Sequence, residues 1–188
     1  MIVGIDEVGR GCWAGPLVAG AVLLRRPIRG LRDSKKLTKL QRERLDIIIR
    51  RQALAIGLGW VTSEELDAGG LTAAVRLAMQ RALEAIALPF EEIIIDGNYN
   101  FLAHDPRARP VIRADDTVPA VSAASIVAKV ARDNFMIAAA GTHPGYGFET
   151  HVGYGTPAHA AALQAQGVCA LHRRSFMPVR QHLQQLQA

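Results

Sequence analysis

Cysteine is nearly absent from this 188-residue chain, which holds only Cys12 and Cys169. Two thiols so far apart make neither a disulfide framework nor a paired zinc-ligand spacing. Aromatic residues are scarce as well, at 5% against 49% hydrophobic residues overall. A core must therefore be assembled from Ala, Val, Ile and Leu, which favours a helix-and-sheet globule over a small aromatic-cored module. Long apolar runs are missing too: none approaches the roughly 20 residues a membrane-spanning helix needs, and no signal-like segment stands ahead of the first strand. A cytoplasmic protein without a membrane partner is the expectation. Acid is in deficit, with 17 Asp and Glu against 22 Lys and Arg for a formal charge of +5. That surplus is compatible with a polyanionic partner and equally with solubility alone. Internal repeats and an interdomain linker are lacking, and the length suits one domain, or one domain with a C-terminal extension.

What is present concentrates in the first sixteen residues, MIVGIDEVGRGCWAGP. An apolar run, Ile2-Val3-Gly4-Ile5, delivers two adjacent carboxylates, Asp6 and Glu7, and glycine follows at once. An ionised carboxylate is costly away from water unless something positive meets it. Either the strand has reached the surface at Asp6, or a cation sits there. The glycines flanking Arg10 let backbone approach a ligand closely, which suits a binding loop. Adjacent strand residues face opposite ways, so a shared site for Asp6 and Glu7 requires the strand to distort between Glu7 and Gly9.

Residues 16–24 form a second apolar run expected to pair antiparallel with the first. Lys35 and Lys36 precede a helix that Thr38 and Gln41 begin with capping-box spacing, ending near Arg51. The two lysines read as a solvated loop or as a grip on phosphate. Residues 53–61 read as a third strand, followed by a cap at Thr62, a break at Gly69-Gly70, and an amphipathic helix over 71–87. The fourth strand, Glu92-Ile93-Ile94-Ile95-Asp96, again stops at an aspartate followed by glycine. A polar loop over 98–110 leads to a short strand at 111–113 and a third apolar-to-acid junction, Asp115-Asp116. A long helix over 121–140 places Ser122, Ser125 and Lys129 near one another. The remainder is rich in Gly and Tyr, with a helix over 157–166, a basic cluster from His172 to Phe176 that reads as surface or as a phosphate contact, and a Gln-rich tail. Tyr146 and Tyr154 either pack that loop or stack on a sugar or base. The histidines match no recognised zinc spacing.

Oxygen ligands at strand ends, without His or Cys, suit Mg²⁺ or Mn²⁺. Asp6, Glu7, Asp96 and Asp115 are the candidates, with Asp116 a rival for the last. Such a quartet can hold two ions about 4 Å apart for phosphodiester hydrolysis.

The segments GIDEVGRG with AGP after them, DSKKLT, IIIDG, the aspartate ahead of SAASIVAKVARD, and YGFETHVGYGT followed by HRRSF resemble ribonuclease HII. They occur in that family's order over residues 2–176. The resemblance implies an α/β RNase H-like fold, a five-stranded mixed sheet flanked by helices, with residues 1–140 as catalytic core and 141–188 as a C-terminal loop and helical segment completing the substrate groove. It implies cleavage of RNA in RNA–DNA hybrids and 5′ to single ribonucleotides in duplex DNA. Asp6, Glu7, Asp96 and Asp115 match the family's metal-binding acids. Asp115 takes the last place because it stands ten residues before Ser125, the family's usual offset. Gly9, Arg10 and Gly11 match a loop that senses the ribose 2′-hydroxyl through backbone groups, and Tyr154 matches the tyrosine that bonds the same hydroxyl. Lys35, Lys36, Ser125 and Lys129 are further substrate-contact candidates.

Val152 stands where the family commonly has lysine, Gly70-Leu71 where it has asparagine-isoleucine, and Val75 where it often has threonine or serine. The absence of a further N-terminal domain favours ribonuclease HII over the related ribonuclease HIII. A noncatalytic binding module of this fold, a junction resolvase, and a metal-free α/β protein with acidic turns are the competing readings. A monomer is expected, and a sliding clamp as partner has no support from an aromatic clamp-binding motif in the tail.

Overall fold

The structure, a computed structural model, describes residues 1–185. Five strands form one mixed sheet: β1 (Ile2–Val8), β2 (Leu17–Leu23), β3 (Ala55–Val61), β4 (Glu92–Asp96) and β5 (Ala108–Val111), in spatial order β3-β2-β1-β4-β5. The first three run antiparallel and the pairs β1–β4 and β4–β5 run parallel. Every residue of β2 is buried, as a continuous apolar strand covered on both faces must be.

Helix α1 (Lys39–Gln52) starts with the full capping box, the Thr38 hydroxyl accepting from the Gln41 N–H and the Gln41 side chain accepting from the Thr38 N–H. Helix α2 (Ser63–Glu84) covers one face of the sheet, packing Val75, Ala78 and Met79 against Val3, Ile5 and Ile95. It is two helices joined at a kink, where Gly70 leaves helical geometry at φ 78°. After the short helix α3 (Ala114–Thr117), helix α4 (Pro119–Thr142) lies on the opposite face. Its contact with the sheet is close enough that a Cβ on Gly4 would collide with the Ala120–Val121 backbone. This small-faced helix approaches through alanine and glycine, and approach at that distance is what places its side chains over the strand ends. The chain closes with α5 (Phe148–His151), α6 (Pro157–Gln166) and α7 (Met177–Gln185). The last three residues of the Gln-rich tail, and any clamp contact they would make, lie outside the described residues.

Two expectations are corrected. The first strand does not end at its acids: β1 stays paired through Val8, which opposes Val18, and leaves strand geometry only at Gly9, where φ is 92°. The fifth strand is not 111–113 but Ala108–Val111, so Arg109, expected in a loop, lies in a strand. An edge strand needs only one paired side, and β4 supplies it: Ile93 to Asp96 set the register of Ala108 to Val111 without any apolar alternation in that segment. Pro110 is tolerated there for the same reason.

Candidate active site

Strand parity distributes the acids. Gly4 faces α4, and Asp6, two residues on, shares that side, while Val3 and Ile5 face α2 and Glu7 follows them. Ile94 packs with Val121 of α4, so Asp96 also faces α4. Because Ile5 opposes Ile95 in the parallel pair, Asp6 and Asp96 are neighbours across the strand ends. The Asp115 N–H donates to Asp96 Oδ1 at 3.2 Å, bringing the first turn of α3 to the same place. Asp6, Asp96 and Asp115 thus gather on one face, and Glu7 sits around the strand end, where Arg10 Nη1 donates to its Oε1 at 3.1 Å. Asp116 points elsewhere, accepting from Lys36 Nζ at 2.7 Å at the surface.

The electrostatics are those of crowded, buried acid. Burial, then the charges of Glu7 and Asp96, push the Asp6 carboxyl up to about 8, against a smaller opposing effect from the Ser125 hydroxyl. Burial raises Glu7 despite Arg10, and burial followed by Asp96 raises Asp115. Glu7 Oε2 is buried with no hydrogen-bond partner. Among the described residues no three His, Cys, Asp or Glu side chains are gathered tightly enough to hold an ion by themselves. The donor set therefore does not form a closed cage. An orphaned buried oxygen among like charges fits a hard cation that keeps waters and takes phosphate oxygens to complete its shell, as Mg²⁺ does.

Ser125, a candidate substrate contact, is buried instead, its hydroxyl 2.8 Å from that of Ser34 and adjacent to Asp6. There it favours the ionised form of Asp6, against the burial that opposes it. Lys129 Nζ donates to Asp133 at 2.8 Å and lies 5.3 Å from the centroid of the Tyr154 ring. Lys35 and Lys36 form a 3₁₀ turn capped by Asp33, whose Oδ1 accepts from the Lys35 N–H, and this turn lines a cleft of about 590 Å³ together with Asp96, Arg113 and Asp115.

The glycine loop leaves β1 at Gly9, whose φ of 92° and whose contact with Arg132 leave no room for a side chain. At Gly11, by contrast, an added Cβ would meet nothing within 4 Å, so bare backbone faces open space. Cys12 pairs with Tyr154 in an isolated antiparallel bridge that joins the loop to the C-terminal segment. The two tyrosines divide the roles open to them: Tyr146 is buried against Phe148, and Tyr154 is 38% exposed. Burial of its hydroxyl end, with Cys12 alongside, pushes Tyr154 up to about 12, so it remains a proton donor at neutral pH.

One functional candidate, Arg132, has no counterpart among the residues singled out from sequence, and a second, Arg173, figures there only within the basic cluster. Arg132 and Arg173 are both fully buried. Arg132 donates to the carbonyls of Pro16 at 2.8 Å, Val152 at 2.9 Å and Ala14 at 3.1 Å. Arg173 donates to Gly15 through Nε and Nη2 and to Gly9 and Arg10 through Nη1. The cluster from His172 to Phe176 is therefore not simply surface or a phosphate contact, because its first arginine points inward. A signal for Arg132 existed in its spacing: it follows buried Ser125 and Ala128 at helical intervals on a face otherwise made of small residues. His172 is buried too, its Nε2 3.1 Å from His159 Nε2 and its Nδ1 accepting from the Cys169 N–H at 3.0 Å.

A family model described as Ribonuclease HII matches residues 3–179. Ribonuclease HII of Nitrosococcus oceani is 48% identical over 185 residues, covering 97% of this chain and 92% of that protein. The Halorhodospira halophila protein of the same name is 47% identical, with 97% and 94% covered. Among solved structures, ribonuclease H2 from Pyrococcus horikoshii superposes with a TM-score of 0.84 at 24% identity, covering 99% of this chain and 98% of that one. The ribonuclease HII of Archaeoglobus fulgidus, solved in complex with PCNA, gives 0.74 at 26% identity, with 94% and 95% covered.

Proposed function

The chain belongs to the ribonuclease HII family of metal-dependent endonucleases, and on that footing we propose that it hydrolyses the RNA strand of RNA–DNA hybrids and nicks 5′ to a single ribonucleotide in duplex DNA, leaving 3′-hydroxyl and 5′-phosphate ends. One observation carries the reading: two buried acids, Asp6 and Asp115, and the half-buried Asp96 share a face at the sheet end, next to a loop that offers bare backbone and an exposed tyrosine. Asp6, Glu7, Asp96 and Asp115 would hold Mg²⁺ or Mn²⁺, two ions during catalysis. When bound, such ions acidify a water and stabilise charge on the phosphate. The chain's own residues do the rest. Asp6, with its carboxyl near 8, gives up a proton as the site loads, so loading is favoured at higher pH. Ser125 fixes Asp6 from behind, and Asp96 orients Asp115 through the backbone N–H it accepts.

Lys35 and Lys36 line the cleft beside Asp96 and Asp115 and would hold the phosphate backbone. Gly9, Arg10, Gly11 and Tyr154 would recognise the 2′-hydroxyl, the group that separates RNA from DNA locally. Among the described residues no helix is long and apolar enough to cross a membrane.

The test is cleavage of an end-labelled duplex carrying one ribonucleotide, with Mg²⁺ or Mn²⁺. Wild type should give a single 5′ nick. Asp96→Asn should lower the rate by about 10²–10³-fold or more, the scale of losing a principal electrostatic element of an active site. Tyr154→Ala should impair the single-ribonucleotide duplex more than a continuous hybrid. No nick by folded wild type with either metal would remove the assignment, and cutting of an all-DNA control would redirect it to another nuclease.

A further inference from the structure

Arg173 touches neither the acids nor open solvent, yet both peptide units on either side of Arg10 depend on it. Its Nη1 donates to the Gly9 carbonyl at 2.6 Å and to the Arg10 carbonyl at 3.2 Å, while Nε and Nη2 hold Gly15 at 3.0 and 2.9 Å across the loop. A peptide unit is planar and trans, so its C=O and N–H point in opposite directions. Drawing the Gly9 carbonyl inward aims the Arg10 N–H outward, and drawing the Arg10 carbonyl inward does the same for the Gly11 N–H. Among the described residues neither N–H has an acceptor, whereas those of Trp13 and Gly15 donate to Gly153 and Leu171. The backbone at Gly11 is also open, since an added Cβ there would meet nothing within 4 Å.

The guanidinium has no carboxylate within ion-pair distance among the described residues, and burial lowers it to about 10, where it remains charged at neutral pH. Its charge is therefore met by carbonyl dipoles of the loop. A planar fork can hold four such bonds at fixed angles, and a lysine ammonium cannot.

We infer that Arg173 is a positioning residue for ribose selectivity: it turns the Gly9 and Arg10 carbonyls inward so that the Arg10 and Gly11 N–H groups are presented to the 2′-oxygen of the substrate. This rests on the reading of the glycine loop as the ribose-sensing element. Arg132 extends the support to Tyr154 by holding Ala14, Pro16 and the Val152 carbonyl two residues before it.

The experiment compares wild type and Arg173→Lys on two duplexes that differ only at the cleavage position, one with a ribonucleotide and one with its 2′-fluoro analogue, a poor acceptor. Arg173→Lys should lower the ratio of kcat/KM for the two by about tenfold, equivalent to one hydrogen bond. Equal loss on both duplexes, with the ratio unchanged, would show a merely structural arginine and overturn the inference. Whether or not the variant folds, NMR of wild type in metal-free buffer decides independently. The Arg10 and Gly11 amide protons should move downfield when the ribonucleotide duplex is added and not with the all-DNA duplex. Identical spectra with both would refute the inference. Failure of wild type to cut the ribonucleotide duplex at all would count instead against the function proposed above, so the two failures are distinct.

Discussion

Two charged regions lie within a few residues of each other and are built in opposite ways. At the strand ends, Asp6, Glu7, Asp96 and Asp115 crowd together, and among the described residues the only ion pair they make is Glu7 with Arg10. Beneath the glycine loop, Arg132 and Arg173 are buried and, among the described residues, have no ion pair, yet every hydrogen bond they donate goes to a backbone carbonyl, with the Tyr154 and Phe176 rings alongside. The acids leave Glu7 Oε2 unpartnered and Asp6 pushed far above a normal carboxyl, while the guanidiniums are satisfied internally. At the acids, that incomplete satisfaction is what the proposed metal ions would relieve. Complete satisfaction marks scaffold that shapes the neighbouring loop.

If that contrast is right, removing a charge should have opposite effects on stability in the two regions. Arg173→Met leaves the Gly9, Arg10 and Gly15 carbonyls without the charged donor they share and should destabilise by about 3–5 kcal/mol, the summed cost of several buried acceptors losing that donor. Urea unfolding at pH 7 would measure it, and a change under 1 kcal/mol would erase the distinction.

Asp6→Asn should instead stabilise the metal-free protein. Folded Asp6 holds its proton up to about 8, whereas the unfolded chain releases it near the ordinary aspartate value. Stability of wild type therefore falls as pH rises between those values. The variant should gain on the order of a few kcal/mol by pH 8 and little near pH 4. Adding Mn²⁺ should raise the melting temperature of wild type and much less that of the variant.

Acid attacks the other region. Burial, followed by His159, depresses His172 to about 4, so its neutral form is favoured by folding and protonation opposes it. That stability is present above the ordinary histidine value and is lost as pH falls from there through 4. Histidine to glutamine at position 172 should flatten the melting-temperature profile over that window, and parallel profiles would show that His172 is not responsible.

The smallest effect is expected where the loop support is strained. Val152 is β-branched and sits at φ 44°, a conformation costing such a residue about 1–2 kcal/mol. Val152→Gly should recover roughly 1 kcal/mol in denaturant melts, after the entropic cost of glycine is subtracted.

Much of this was legible in the residue pattern because it depended on local periodicity. The capping box at Thr38, the break at Gly70 and the helix from Pro157 to Gln166 need only neighbours in sequence. The candidate acids were legible because a carboxylate ending an apolar strand is unusual wherever it occurs. Strand β5 was not, because its register comes from β4 and its own residues carry no alternation. The course of β1 past Glu7 was also hidden: glycines after the acids permit an early departure, and only pairing with β2 up to Val18 keeps the strand regular through Val8 before Gly9 turns away.

Sequence alone thus determined most of the element types, the candidate acids and the glycine loop, since composition and short-range spacing specify all three. Tertiary structure decided which acids share a face, that Ser125 stands behind Asp6, that Tyr146 packs while Tyr154 is exposed, and that Arg173 turns inward. Those outcomes depend on strand parity and on contacts between residues up to 164 positions apart, and no local pattern encodes the direction in which such a side chain will find its partner.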